Sequence, residues 1–117
     1  MSISRRRSSE TILVVHRRGS MICYVDIDGV LCTDAHGNYE EVTPIFENIE
    51  KINGLYDEGN EIILWTARGT VTKIDWKELT EKQLKEWGVK YHELKFGKPN
   101  YELLIDDKAV NIRDWKN

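Results

Sequence analysis

The sequence predicts one α/β domain, with a mostly parallel sheet between helices in a three-layer α/β/α arrangement. The first reason is length, because 117 residues suit one compact domain. The second is pattern: short apolar runs rich in β-formers alternate with segments whose apolar residues recur every three or four positions. Parallel strands cannot be joined by a tight turn, so helices between the strands indicate parallel pairing.

The first half of the domain reads as strand, loop and helix. Ile22–Ile27 is a short run of β-formers that ends at an Asp-Gly turn. Residues 29–43 are polar and contain glycine, which predicts a loop. Pro44 suits the first turn of a helix, and apolar residues then recur at helical spacing until Gly59-Asn60.

The second half repeats this order. Glu61–Trp65 predicts the second strand, and Trp76–Trp87 predicts an amphipathic helix that ends at Gly88. Val89–Leu94 is a short candidate for the third strand, and Tyr101–Ile105 for the fourth. The sequence therefore predicts four strands with their carboxyl ends at one edge of the sheet.

Residues 1–20 read as a separate piece. The Gly19-Ser20-Met21 junction resembles the end of an expression leader, so we place the domain at residues 21–117. The alternative is a natural N-terminal arm, in which Thr11–Val15 would add an edge strand. The apolar stretch is too short for the core of a secretory signal.

Composition and charge narrow the class of protein. No apolar run approaches the ~20 residues of a membrane span, and two cysteines fit a reducing cytosol, so we expect a cytoplasmic protein. Residues 1–20 hold five arginines and one glutamate (+4), which leaves −7 for the rest of a chain of net charge −3. A domain with this negative charge is expected to repel the backbone of a nucleic acid. It suits a small substrate that is delivered together with a cation.

Polar side chains follow or precede the predicted strands at the edge where ligands bind in open parallel sheets. They are Asp26, Asp28, Thr66, Arg68, Lys98, Asp106 and Asp107. Clustered carboxylates repel one another, and a hard divalent cation relieves the repulsion. Oxygen ligands select Mg²⁺, and no cysteine–histidine cluster has zinc spacing.

Mg²⁺ commonly binds carboxylates together with a substrate phosphate. Thr66 and Lys98 are suited to hold the phosphate, one as a hydroxyl donor and the other as a point charge. One aspartate would attack phosphorus and a second would move the proton. Each residue type also has a plainer interpretation: the aspartates as turn formers, Thr66 as a helix cap, Lys98 as a surface lysine, and Arg68 as the partner of an acid in the site.

The chain from residue 21 onward resembles the haloacid dehalogenase superfamily of phosphatases and phosphotransferases. Asp26-Ile27-Asp28-Gly29-Val30 matches its first motif, and Leu64-Trp65-Thr66 matches the second. Lys98 best matches the third motif, and Asp106-Asp107 matches the fourth. Each motif alone is weak, but all four occur in order and at predicted strand ends. The resemblance implies a Rossmann-like domain.

The resemblance also implies a role for each matching residue. Asp26 would be the nucleophile and a ligand of Mg²⁺. Asp28 would be the general acid and base, with its backbone carbonyl on the metal. Thr66 and Lys98 would hold the phosphoryl group. Asp106 would bind the metal directly and Asp107 through water; Arg68 matches no motif, and its assignment to substrate binding is a separate inference from its position.

The spacing leaves no room for the cap domain that many family members insert. Only 38 positions separate Asp28 from Thr66, and 32 separate Thr66 from Lys98. The chain therefore resembles the capless subgroup, in which substrates are large or a neighbouring subunit covers the site, and we expect a homo-oligomer as one way to cover it. The segments Gly97–Pro99 and Ile105–Ala109 also resemble those of small phosphatases linked to capsule or surface-polysaccharide synthesis.

Three functions compete at this stage. The first is an Mg²⁺-dependent phosphomonoester hydrolase that acts on a small phosphorylated metabolite, such as a sugar phosphate. The second is a phosphatase that acts on a macromolecule, either a nucleic-acid end or a phosphoprotein. The third is a non-catalytic module that binds metal and phosphate. The paired aspartates at positions 26 and 28 favour an enzyme, and the acidic charge of the domain disfavours nucleic acid.

Overall fold

The computed structural model describes residues 21–115. In chain order its helices and strands are β1 (Ile22–Val25), α1 (Phe46–Asp57), β2 (Glu61–Trp65), α2 (Lys77–Trp87) and β3 (Glu93–Lys95). Two single-turn 3₁₀ segments, Tyr39–Glu41 and Ile112–Asp114, lie outside this repeat. The expectations for residues 1–20 fall outside the described residues.

The three strands form one parallel sheet with β2 in the centre. Tyr24 of β1 is level with Ile63 of β2, and Leu64 of β2 is level with Leu94 of β3. α1 connects β1 to β2, and α2 connects β2 to β3, as parallel pairing requires. The predicted alternation of strands and helices is thus confirmed as a Rossmann-like α/β fold, and the carboxyl ends of β1 and β2 meet at one edge.

The helix ends follow from local chemistry. α1 begins at Phe46 rather than at Pro44, because Pro44 pairs with Cys32 in an isolated bridge and the Ile45 N–H donates to the Leu31 carbonyl at 2.8 Å. α2 ends at Gly88, as predicted. The φ of Gly88 is 72°, a left-handed conformation that glycine adopts without steric cost.

One hydrophobic core lies against one face of the sheet. Its side chains come from both helices and from the strands: Val25, Ile62 and Leu64 from β1 and β2, Ile49, Ile52 and Leu55 from α1, and Leu84 from α2. On the opposite face of β1, Ile22 and Tyr24 are 64% and 53% exposed. The prediction of three layers is therefore wrong for residues 21–115, in which both helices pack on the same side.

The predicted fourth strand is also wrong. Tyr101–Ile105 forms no strand, and every residue from 101 to 110 is exposed, including Leu103 at 75% and Ile105 at 87%. Only residues 96–100 separate β3 from this segment, whereas a parallel crossover needs about a dozen residues or more. We call residues 101–110 the arm. Beyond it, Ile112 and Trp115 pack against the core again.

Neither helix within residues 21–115 is long and apolar enough to cross a bilayer.

Candidate functional site

Two of the predicted site residues meet at the carboxyl ends of β1 and β2. Asp26 directly follows β1, and its Oδ2 lies 3.6 Å from the Lys98 Nζ. The Lys98 backbone N–H donates to the Thr66 carbonyl at 3.1 Å, which fixes the lysine against the end of β2. The Asp26 side chain is 38% exposed, so this carboxylate is partly buried beside a fixed cation and still reaches solvent.

Lys98 is held on several sides. Its Nζ donates to the Tyr101 hydroxyl at 2.6 Å and lies 4.2 Å from the centre of the Tyr101 ring. The Trp65 ring is 5.8 Å away. Lys98 is nearly buried, so its charge faces Asp26 and two aromatic rings rather than bulk water. The alternative interpretation of Lys98 as a surface lysine does not describe this placement.

The pKa of Asp26 is raised above its ordinary value. Burial of the carboxylate is the largest cause, and the positive charge of Lys98 acts in the opposite direction. The Ile27 N–H, which donates to the Asp26 Oδ1 at 2.8 Å, also favours the charged form. Any further cation near Asp26 would stabilise its charged form, which is the form that can attack phosphorus.

Thr66 directly follows β2 and is fully buried. Its Oγ1 accepts a hydrogen bond from the Arg68 N–H at 3.0 Å, and its backbone N–H donates to the Lys95 carbonyl at 3.0 Å. The hydroxyl therefore shapes the turn that leaves β2. It is buried and does not lie on an open surface.

Asp28 has a different environment from Asp26. The Arg68 Nε and Nη2 donate to the two carboxylate oxygens of Asp28, each at 2.9 Å. The Arg68 side chain is fully buried, and that of Asp28 is 17% exposed. A planar guanidinium satisfies both oxygens of one carboxylate in this geometry. The two aspartates of the first motif therefore have separate cations and separate surroundings.

A polar network that the sequence did not reveal surrounds Arg68. The Nη1 donates to the Thr80 Oγ1 at 3.0 Å and to the Gln83 Oε1 at 2.6 Å. The Gln83 Nε2 in turn donates to the Tyr39 carbonyl at 2.7 Å, and the Tyr39 ring lies 4.7 Å from the Arg68 guanidinium carbon. The network links α2 to the loop after β1. A possible signal was present: Thr80 and Gln83 are polar, yet they lie three positions apart on the apolar side of α2.

Arg68 therefore does not fit its predicted role in substrate binding. It is 2% exposed, and each of its three guanidinium nitrogens already donates to a side chain. The alternative interpretation, in which Arg68 pairs with an acid of the site, describes the structure. A buried arginine with satisfied donors positions Asp28 and has no open surface to offer a phosphate.

Cys32 lies next to this network and is buried. Burial, followed by the negative charge of Asp28, raises the pKa of its thiol to about 12. Cys23 and Cys32 are both free. The surroundings of Cys32 thus favour the protonated thiol over the thiolate, which is the nucleophilic form.

The two acids of the fourth motif do not reach the site. Asp106 and Asp107 lie on the exposed arm, and the Asp106 Oδ1 accepts a hydrogen bond from the Lys108 N–H at 2.6 Å. Within residues 21–115, no group of three or more His, Cys, Asp or Glu residues is arranged to hold a metal ion. Within residues 21–115 the predicted convergence of four acids is thus not observed: Asp26 pairs with Lys98 and Asp28 with Arg68, and Asp106 and Asp107 lie on the exposed arm.

Comparisons with known proteins support the fold. No protein-family model matches the chain, and no curated protein matches it. The chain is similar to a crystal structure of an MCSG target from Vibrio cholerae, with 28% sequence identity and a TM-score of 0.73. The match covers 80% of this chain and 85% of that one. The likeness supports the α/β architecture over most of the chain and names no activity.

Proposed function

We propose that this chain is a phosphomonoester hydrolase of the haloacid dehalogenase type that works through an aspartyl-phosphate on Asp26. The observation that carries the proposal is the pair formed by Asp26 and Lys98, 3.6 Å apart where two parallel strands end. A nucleophilic carboxylate and a cation at this edge are what in-line attack on a phosphate dianion requires. The order of the four sequence motifs supports the same reaction.

The chemistry follows from the partly exposed carboxylate of Asp26. An Asp26 oxygen attacks phosphorus, a new P–O bond forms, and the bond from phosphorus to the alkoxide oxygen of the substrate breaks. Water then attacks the same phosphorus, which releases phosphate and restores the Asp26 carboxylate. The charge of Lys98, 3.6 Å from Asp26, would stabilise the phosphoryl oxygens in both steps.

Asp28 is the second carboxylate of the site, and the sequence motif assigns it the proton transfers. In the arrangement observed, both of its oxygens accept hydrogen bonds from Arg68. To protonate the leaving oxygen, Asp28 would have to release at least one of these charge-assisted bonds. We therefore propose that Arg68 governs when Asp28 is free to move a proton.

A magnesium ion is implied by the motifs, and the donor types suit it, because carboxylate oxygens are hard ligands. The arrangement within one chain does not yet fit. Asp26 is exposed in part, Asp28 is engaged by Arg68, and the acids of the arm lie elsewhere. The residues of a single chain therefore do not form a magnesium site as they stand.

The substrate class follows from charge and shape. Residues 21–117 carry a net charge of −7, which disfavours a polyanionic nucleic acid. No cap domain is inserted between the elements of residues 21–115, so a small substrate would need a neighbouring subunit to cover the site. We propose a small phosphorylated metabolite such as a sugar phosphate, and the resemblance to polysaccharide-linked phosphatases favours a sugar.

A panel of phosphate esters tests the proposal. It should contain sugar phosphates, a phosphopeptide and a 5′-phosphorylated oligonucleotide, each assayed with and without Mg²⁺. We expect the sugar phosphates to be hydrolysed fastest and Asp26→Asn to lower kcat by about 10³-fold or more, because the nucleophile is lost. Asp57→Asn, at an exposed acid paired with Lys90, is the control and should keep the wild-type rate. A wild-type rate for Asp26→Asn would refute the proposal.

A further inference from the structure

The arm and the edge of β1 that faces away from β2 are two surfaces that no described residue covers. Within residues 21–115, β1 pairs with β2 alone, and no described residue pairs with its other edge, where backbone groups can accept a further strand. Three consecutive apolar residues of the arm, Leu103, Leu104 and Ile105, are 53–87% exposed. Isolated exposed apolar side chains are ordinary, but a continuous run of three is typical of an interaction site.

The arm is suited to pair with a strand such as β1. Tyr101–Ile105 has five residues and β1 has four. Apolar side chains occupy both faces of the arm in an extended conformation, with Leu103 and Ile105 on one side and Leu104 on the other. Strands of parallel sheets, which are covered on both faces, have this pattern.

The direction of pairing decides what the arm can contribute. If the arm runs parallel to β1, its last residue lies at the carboxyl end of the sheet, and Asp106 and Asp107 follow there, beside Asp26. If it runs antiparallel, both acids lie at the opposite end. Only the parallel pairing supplies the carboxylates that the candidate site lacks.

The arm of one chain cannot reach its own β1 edge in this direction. Lys98 is bonded to Thr66 at the carboxyl end of the sheet, and Tyr101 begins the arm three residues later. Three residue steps span at most about 11 Å. The required path runs back along the strand for about 17 Å and sideways past β2 and β1 for about 10 Å. The connection is too short by a wide margin.

We propose that two copies of this chain exchange arms, so that Tyr101–Ile105 of each copy adds a parallel fourth strand to the β1 edge of the other. Each copy then donates Asp106 and Asp107 to the site that contains its partner's Asp26. The interface is two-fold symmetric, because the donated and accepting surfaces are the same on both copies. In each copy Lys98 and Ile112, the residues on either side of the arm, remain packed against the rest of the same chain. The two copies therefore lie side by side. The exchange is inferred from the exposed arm, the outer edge of β1 and the short connection after Lys98. Its catalytic consequence rests on the proposed function.

Oligomeric state is the first test. We expect size-exclusion chromatography with light scattering to give a dimer for the wild type and a monomer for Leu103→Asp/Ile105→Asp. Both positions are solvent-exposed within one copy, so this variant should keep its far-UV circular dichroism. Val71→Asp/Ile74→Asp changes two exposed apolar residues outside the arm and should remain dimeric. A monomeric wild type, or a dimer that survives the arm variant, would overturn the exchange.

The competing occupant of the β1 edge is Thr11–Val15, the apolar run in the first twenty residues. Leu13→Asp/Val15→Asp therefore belongs in the same experiment. We expect it to remain dimeric. A dimer that is lost with this variant and kept with the arm variant would assign the edge to residues 11–15 instead.

Mixed dimers test whether the site is shared. One copy carries Asp26→Asn, and the other carries Asp106→Asn/Asp107→Asn; two affinity tags allow the mixed dimer to be purified. Exchange leaves one complete site in each mixed dimer, so we expect about half the Mn²⁺ stoichiometry and half the phosphatase rate of the wild type. Each variant alone should show neither. If every site is built within one copy, the mixed dimer has no complete site and binds no more Mn²⁺ than the variants alone.

The two readouts separate the two proposals. If the mixed dimer binds Mn²⁺ as expected but the wild type hydrolyses no phosphate ester, the exchange stands and the proposed function fails. If the wild type is an active phosphatase but the mixed dimer neither binds Mn²⁺ nor turns over, the function stands and the shared site is wrong.

Discussion

Asp26 and Asp28 are two residues apart in the sequence and have opposite surroundings in the fold. Asp26 is open to solvent and has Lys98 at 3.6 Å on one oxygen. Asp28 has both oxygens bonded at 2.9 Å to a buried guanidinium. The difference shows that a shared motif does not give two carboxylates a shared role. One is available to a substrate, and the other holds the loop after β1 against α2.

The largest expected difference is in stability. Asp28→Asn leaves the buried charge of Arg68 without its counter-ion, so we expect a loss of about 3 kcal/mol in the free energy of unfolding. Asp26→Asn should change this free energy by less than about 1 kcal/mol, because Asp26 is exposed in part and its cation has another partner in Tyr101. Urea denaturation of both variants measures the difference.

Asp57→Asn is the matched control for these variants. Asp57 and Lys90 are 2.8 Å apart, closer than Asp28 and Arg68, but their side chains are 58% and 48% exposed. An exposed pair contributes about 0–1 kcal/mol. If Asp57→Asn and Asp28→Asn destabilise equally, burial does not explain the strength of the Asp28 pair.

A smaller loss is expected from Arg68→Lys. Lysine keeps the positive charge but has one ammonium in place of three nitrogens, so it cannot bond Asp28, Thr80 and Gln83 together. We expect a loss of about 2 kcal/mol in the free energy of unfolding. A lysine variant as stable as the wild type would show that charge alone, without the forked geometry, is sufficient here.

Thr80→Val tests one bond at the edge of the network. Valine has nearly the same shape but no oxygen to accept the 3.0 Å bond from the Arg68 Nη1, which keeps its bond to Gln83. We expect a loss of about 1 kcal/mol, measured by thermal or urea unfolding. A loss as large as that of Asp28→Asn would mean that Thr80, rather than the carboxylate, dominates the network.

The smallest expected effect is a shift in the pH dependence of kcat/KM that follows from the pKa of Asp26. Under the proposed function, activity falls as the pH drops through the pKa of Asp26, which burial places above its ordinary value. Lys98 lowers this pKa, so Lys98→Met should move the acid limb of kcat/KM to higher pH. Lys95→Met, at an exposed lysine paired with Tyr24, should leave the limb in place. A limb that moves to lower pH would contradict the assignment.

The sequence predicted the elements whose signals are local. Glu61–Trp65 has the same bounds in the structure as in the prediction, because an apolar β-forming run lies between clear turn residues. Gly88 ends α2 as expected. Tyr101–Ile105 failed for a non-local reason. β-formers indicate a segment that fits a pleated surface, but they do not say whether the chain is long enough to return to one.

Which residues lie near the candidate site could be predicted from the sequence better than which of them bond to one another. Position at strand ends was sufficient to bring Asp26 and Lys98 together. It was not sufficient to separate Asp26 from Asp28, because alternation along β1 stops at Val25 and the two side chains then leave the strand in different directions. The acceptors on α2 were missed because they lie far from Arg68 in sequence, at positions where spacing alone predicts apolar packing.

The polar inner side of α2 has a consequence for movement. A helix that packs only through leucines can slide along its neighbours in small steps at little cost, but directional bonds hold Thr80 and Gln83 at one register. Because Gln83 also bonds the Tyr39 carbonyl, a displacement of α2 would strain the Asp28 carboxylate and the loop together. The register of α2 is thus connected, through Thr80, Gln83 and Arg68, to the position of the Asp28 carboxylate.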